Sequence, residues 1–170
     1  MTPTKLNITT EEVVVSTDTL ASNEYKITAT AIFDCHPSDV MKLLWDWEQL
    51  LAVGLPGMTS NFRWIKGGPD EVPSKFHFDM AGTVIKEEIY ERVEVDGFYR
   101  LRYKALEAAL GILEYDAILD WHETDENQTA FQAIRTIVMA VGSGPEMLAE
   151  MCGSETQYLK DYFARHSNSV

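Results

Sequence analysis

Hydrophobic and polar residues alternate one for one over residues 25–33. Tyr25, Ile27, Ala29, Ala31 and Phe33 share one parity, and Lys26, Thr28 and Thr30 the other. A period of two predicts a half-buried β-strand. At Pro37 the period changes: Val40, Leu43, Leu44 and Trp47 fall at helical spacing, and Leu55-Pro56-Gly57 ends the segment. Alternation then returns and predicts six further strands over residues 61–66, 75–80, 83–95, 98–105, 110–121 and 129–141. Between them stand Gly67-Gly68-Pro69, Ala81-Gly82, Asp96-Gly97, the bend Glu107-Ala108-Ala109 and an acidic turn over residues 122–128. Asp96-Gly97 is a hairpin signal, because both residues can take positive φ.

Helical spacing reappears near the end. Ser143-Gly144-Pro145-Glu146 reads as a capping box opening a helix to about His166. Leu148, Met151, Cys152, Glu155, Leu159, Tyr162 and Phe163 fall largely along one stripe of it. Gly153 lies inside the stripe, at a cost of about 1 kcal/mol relative to Ala, and predicts a kink or a break. Residues 1–22 are polar and Thr-rich, with only Val13, Val14 and Val15 hinting at a strand. They read as an arm preceding a single domain over residues 23–166.

One face of a curved sheet must be covered, and only the final helix is long enough to lie across it. The predicted fold is therefore α+β, a curved six- to seven-stranded antiparallel sheet around a long C-terminal helix. Such a sheet cannot close tightly on one helix everywhere, so a mainly apolar pocket is expected between them. Alternation places Ile85, Glu87, Ile89 and Val93 on the inner face, with Tyr99, Leu101 and Tyr103 on the next strand. Leu113, Tyr115, Ala117, Leu119 and Trp121 follow on the one after. The last strand is mixed on both faces; Phe131, Ala133, Arg135, Ile137 and Met139 form its more apolar set.

Length and composition fit one globular domain: 170 residues, 45% hydrophobic and 24% charged. Charge changes the picture more. With 14 basic against 27 acidic residues and a net charge of −13, the chain lacks the Lys/Arg excess that nucleic acid or an anionic membrane demands. Cys35 and Cys152 are the only cysteines, expected as reduced thiols of a cytoplasmic protein. The opening residues carry no apolar signal-peptide core, and no apolar run of about 18 residues predicts stable membrane insertion. A monomer or a homodimer fits equally. His36, His77, His122 and His166 show no metal-ligand spacing, and Asp120, His122, Glu123, Asp125 and Glu126 read as a solvated turn. No metal and no cofactor is expected, and Cys152 is expected to be a buried inert thiol.

Three stretches resemble a known group. His36-Pro37-Ser38-Asp39-Val40, Leu43-Leu44-Trp45-Asp46-Trp47 and Leu55-Pro56-Gly57 together are similar to the helical insert after the first strand of the helix-grip superfamily. Residues 81–93, from Ala81-Gly82-Thr83 through Glu87 to Val93, look like its hairpin in which a Glu follows the turn. The last strand running into a capped helix is the third stretch. The superfamily includes the birch-pollen allergen family, START lipid-transfer domains, plant abscisic-acid receptors and bacterial polyketide cyclase/dehydrase-like proteins. The resemblance covers about residues 24–166 and implies the fold; the superfamily hosts binders, transporters and enzymes alike. Likeness to the abscisic-acid receptors also favours the Arg135 face of the last strand as pocket-facing. Their gate motif Ser-Gly-Leu-Pro-Ala is absent, since the corresponding turn is Met80-Ala81-Gly82, so neither hormone sensing nor the phosphatase partnership is carried over.

The expected ligand-binding set is Phe78, Met80, Glu87, Ile89, Leu101, Tyr103, Tyr115, Ala117, Leu119, Phe131, Ala133, Arg135 and Ile137. Leu148 and Met151 join it from the final helix, Phe76 is expected to line the same cavity, and the bend at 107–111 is a candidate rim. Glu87 and Arg135 are two charged residues in apolar rows, expected to meet inside as a structural pair or as a ligand anchor. Tyr103 and Tyr115 are phenolic donors or ordinary core residues. The leading function is binding or carriage of a hydrophobic small molecule such as a lipid, isoprenoid or polyketide-like compound. A cyclase- or dehydratase-type enzyme using Glu87, Arg135 and Tyr115 is the second, and a protein-interaction module with a vestigial cavity the third.

Overall fold

The computed structural model describes residues 12–44 and 46–166. The elements run β1 (Val14–Ala21), β2 (Glu24–Phe33), α1 (Pro37–Leu44), α2 (Trp47–Gly54), β3 (Thr59–Lys66), β4 (Ser74–Met80), β5 (Thr83–Val95), β6 (Phe98–Ala105), β7 (Ile112–Glu123), β8 (Thr129–Met139) and α3 (Glu146–His166). Eight strands form one antiparallel sheet in the order β1-β2-β8-β7-β6-β5-β4-β3. It is curved and unclosed, with the 21-residue α3 packed against β2, β1 and α2.

The eighth strand comes from the segment expected as an arm. β1 pairs with β2 from Val14↔Thr30 to Ala21↔Glu24. Its Thr and Ser residues hide it from a hydrophobicity pattern because it is an edge strand, exposed along nearly its whole length. The arm's residues 1–11 lie outside the described residues.

The helical insert is two helices, not one. Asp46 separates them, leaving the helical region (φ −109, ψ 81) while its side chain accepts from the Gln49 N–H. Capping the second helix in mid-pattern turns α2 over the open part of the sheet.

Two bulges overturn the simple alternation. In β5, Ile89 pairs with Tyr103 but Glu91 with Arg102, so Tyr90 is an extra residue. Beyond it Arg92 opposes Leu101 on the inner face, and Val93, expected inside, lies on the outer one. In β7, Ile112 opposes Met139 and Glu114 opposes Val138. Leu113, expected inside, is 48% exposed, and Ile112 takes the inner position. One inserted residue reverses the side of every residue beyond it.

The α3 helix is continuous through Gly153. A Cβ there would stand 3.1 Å from Val15 Cγ2. The missing side chain therefore serves close approach of helix and β1, not a kink. Nor does Ser143 cap this helix: it starts at Glu146, and the Pro145 carbonyl accepts from Ala149 N.

Under α3 the core is closed. Phe33 stacks on Phe131 (5.0 Å) and on Phe163 (5.4 Å), and Phe131 also meets Trp121. Ile27 and Ile137 pack with Leu148 and Cys152 in a second cluster.

Candidate functional site

The part of the sheet that α3 does not cover lies toward β4–β7, and there α2 forms the roof. A hollow remains, lined by Trp47, Leu50, Leu51 and Leu55 from α2 and its end, and by Phe78, Met80, Ile85, Glu87, Tyr103, Ala105, Tyr115 and Leu119 from the sheet. Glu107, Ala109, Leu110 and Ile112 contribute from the β6–β7 bend, with Leu148, Met151, Glu155 and Leu159 from α3. The hollow has a volume of about 80 Å³, which leaves room for several waters or a small group; a larger guest must use the mouth or move side chains. Leu110 stands at the mouth, 44% exposed, with a left-handed backbone (φ 53). Such a conformation in a non-Gly residue costs about 1 kcal/mol or more.

Eight of the expected residues line this hollow: Phe78, Met80, Glu87, Tyr103, Tyr115, Leu119, Leu148 and Met151. Ile89, Leu101, Ala117, Phe131, Ala133 and Ile137 are buried, as their parity requires, but do not line it. Ile137 packs with Leu148 and Cys152 of α3, and Phe131 lies against Phe33, which in turn meets Phe163 of α3. Phe76 is withdrawn into an aromatic cluster with Trp47, Phe62 and Trp64. Alternation predicts which face a side chain is on, whereas helix placement decides whether that face is covered or hollow.

The polar end differs from expectation in one partner. Arg135 points inward and is 1% exposed, but the carboxylate it pairs with is Glu155 of α3, Nη2 to Oε2 at 3.0 Å, and not Glu87. Its Nε donates to the Tyr115 hydroxyl at 2.9 Å, and that hydroxyl lies 3.1 Å from the Tyr103 hydroxyl. Burial works against the Arg135 charge. Glu155 and the nearby phenols outweigh it and hold the guanidinium well above its ordinary range. Burial also raises both Tyr115 and Tyr103, so both phenols stay protonated.

The pair is positioned by α2. A Cβ on Gly54 would meet Glu155 Cγ at 2.9 Å, so the bare glycine lets Glu155 pack on the end of α2 beside the hollow. Glu155 is legible in the sequence as a lone acid between Cys152 and Leu159 on an apolar stripe. Its partner is not, because that depends on how α3 crosses β8.

Glu87 sits between Phe76 and Ala105 of the neighbouring strands, 7% exposed and facing the hollow. Among the described residues it has no cation within ion-pair distance. Loss of hydration, and then the Glu155 charge, push its carboxyl up to about 8, against a weaker opposing pull from Arg135. At neutral pH it is mostly a neutral acid, able to donate a hydrogen bond. Cys152 is fully buried with its thiol raised to about 11 by loss of hydration, and Cys35 is buried with its thiol raised to about 12 by the same cause. Neither has a nucleophile's character.

No protein-family model matches the chain, and no curated protein matches it by sequence. Solved structures do match by shape. Ginseng major latex-like protein 151 from Panax ginseng superposes with a TM-score of 0.65 at 13% identity, over 84% of this chain and 99% of that one. An uncharacterised protein from Bacillus thuringiensis gives 0.66 at 16% identity, over 82% and 98%. At these identities the likeness is one of fold, and the chain has the helix-grip architecture that its strand pattern and final helix predict.

Proposed function

We propose that this chain binds a small, mainly apolar molecule in the hollow between α2, α3 and strands β4–β7. The observation that carries this reading is the composition of the hollow. Apolar side chains from both helices and four strands surround a few convergent polar groups, Glu87, Tyr103, Tyr115 and Glu155. Binding sites for small molecules have this make-up, with apolar area for affinity and few polar groups for orientation. Lipid, isoprenoid and polyketide-like compounds match such a lining in chemistry, and those larger than the enclosed space would extend through the mouth.

The test is native mass spectrometry of the protein purified without denaturation, beside Ala105→Trp, which puts an indole into the hollow. Mass retained by the wild type and absent from the variant supports the reading. Identical, unliganded spectra, together with no uptake of an apolar fluorescent probe by either protein, would overturn it.

A second reading, a cyclase- or dehydratase-type enzyme, is favoured by one observation. A carboxyl raised to about 8 can both give and take a proton near neutrality, as general acid–base catalysis asks. Tyr115, held by Arg135, would then orient the substrate. Recovery of a chemically altered compound after incubation, lost in Glu87→Gln, would separate this reading from simple binding.

A further inference from the structure

Three carboxyl groups line the hollow, Glu87, Glu107 and Glu155, and among the described residues no Lys, Arg or His does. Two of the three carry their own cation. Glu155 is paired with Arg135 at 3.0 Å, and Glu107 with Lys86 at 3.1 Å on the rim. Glu87 has none among the described residues. It is more than nine-tenths buried and aimed into the void.

The groups facing it from the packed elements are the phenols of Tyr103 on β6 and Tyr115 on β7, Arg135 on β8, and Glu155 on α3. The only cation of that set is 1% exposed and engaged by Glu155 and Tyr115. One nitrogen of it, Nη1, has no hydrogen-bond partner, but Arg135 does not line the hollow. A ligand carboxylate would therefore meet acids with no exposed cation to receive it. A ligand ammonium would meet the one carboxyl that lacks a partner.

Resting on the binding reading above, we infer that the ligand is a cationic amphiphile: a primary or secondary amine whose protonated nitrogen pairs with Glu87, its apolar body lying against Phe78, Leu50, Leu119 and Met151. The pairing is an ion pair with no covalent step. Glu87 gives its proton to solvent and the ammonium keeps its own. A charge-assisted hydrogen bond away from bulk water is roughly twice as strong as a neutral one, and a net charge of −13 steers cations toward the protein from a distance.

The experiment is calorimetric titration with three probes of one chain length, octylamine, octanol and octanoate, at pH 7 in two buffers of different ionisation enthalpy. Octylamine should bind about tenfold tighter than octanol, and octanoate weakest. Only the amine should release a proton, close to one per molecule bound. In Glu87→Gln, its fold checked by circular dichroism and thermal melting, the octylamine-to-octanol affinity ratio should fall to near one and proton release should vanish. If octanol binds as well as octylamine in the wild type, or if the amine keeps its advantage in the variant, the cationic assignment is wrong while the hollow remains a binding site. If none of the three binds, the binding reading itself fails, and the assignment with it.

Discussion

Replacing Glu87 by Gln should make the protein more stable at high pH and leave it nearly unchanged at low pH. Glutamine has the shape of the protonated acid and cannot ionise, so the comparison isolates one proton. The carboxyl stands at about 8 in the folded protein against an ordinary 4.5, chiefly through loss of hydration. That gap corresponds to roughly 5 kcal/mol between the two protonation states. Because the folded value is the higher one, the native state holds more protons than the unfolded chain between these two pH values. Stability from this group is therefore greatest below about pH 4.5 and declines as pH rises, levelling off above about 8. The other carboxylates are common to both proteins and cancel in the difference. Paired thermal melts at pH 5 and pH 8.5 read it directly. At pH 5 the melting temperatures should agree to within about 3 °C. At pH 8.5 the variant should be ahead by several kcal/mol, or about 10 °C at the roughly 2–4 °C per kcal/mol of a chain this long. Equal melting temperatures at both pH values, or a variant that falls behind as pH rises, would mean that Glu87 is not a desolvated neutral acid.

Further outcomes follow from the packing. Glu155→Leu strips the carboxylate from Arg135, which is 1% exposed, and should cost about 3–5 kcal/mol in urea unfolding; adding Arg135→Leu should recover part of that loss. Gly153→Ala should stabilise by about 1 kcal/mol more in a Val15→Ala background than alone, because the 3.1 Å approach to Val15 offsets the gain in helix propensity. A double-mutant cycle measures that coupling. Leu110→Gly should relieve the left-handed backbone at φ 53 and raise stability by up to about 1 kcal/mol. It should also weaken binding of an apolar probe several-fold by removing a wall of the mouth.

Much of the fold is legible in the residues because period two and period 3.6 are separate signals, and the strands from β2 to β8 follow from them closely. What is not legible depends on single inserted residues or on geometry between elements. Tyr90 and Leu113 look like ordinary members of an alternating row, and only pairing with the next strand shows that each is a bulge. Thr17 and Thr19 belong to an edge strand with no apolar row to reveal it. Gly153 has two explanations in sequence, a weakened helix or a close contact, and the position of Val15 decides between them. For the site, parity puts Glu87, Tyr103 and Tyr115 inside, where they are found, whereas the last strand is mixed on both faces and only its more apolar set and the family likeness favour the Arg135 face, which is the inner one. The partner of Arg135 and the boundary between packed core and hollow depend on the path of α3. That path leaves Phe131 and Ile137 under the helix and Leu50 and Leu51 over open space.

Occupancy of this hollow by a small molecule can be read from the methionine methyl groups. Met80 and Met151 line the hollow, Met139 is buried outside it in the second core cluster, and Met58 and Met147 are 47% and 83% exposed on the surface. In a methionine-methyl-labelled sample titrated with octylamine or octanol, the Met80 and Met151 signals should shift together and saturate on one binding curve, while Met58, Met139 and Met147 stay in place. Shifts confined to Met58 or Met147, with Met80 and Met151 unmoved at saturation, would place the molecule on the surface and contradict the account.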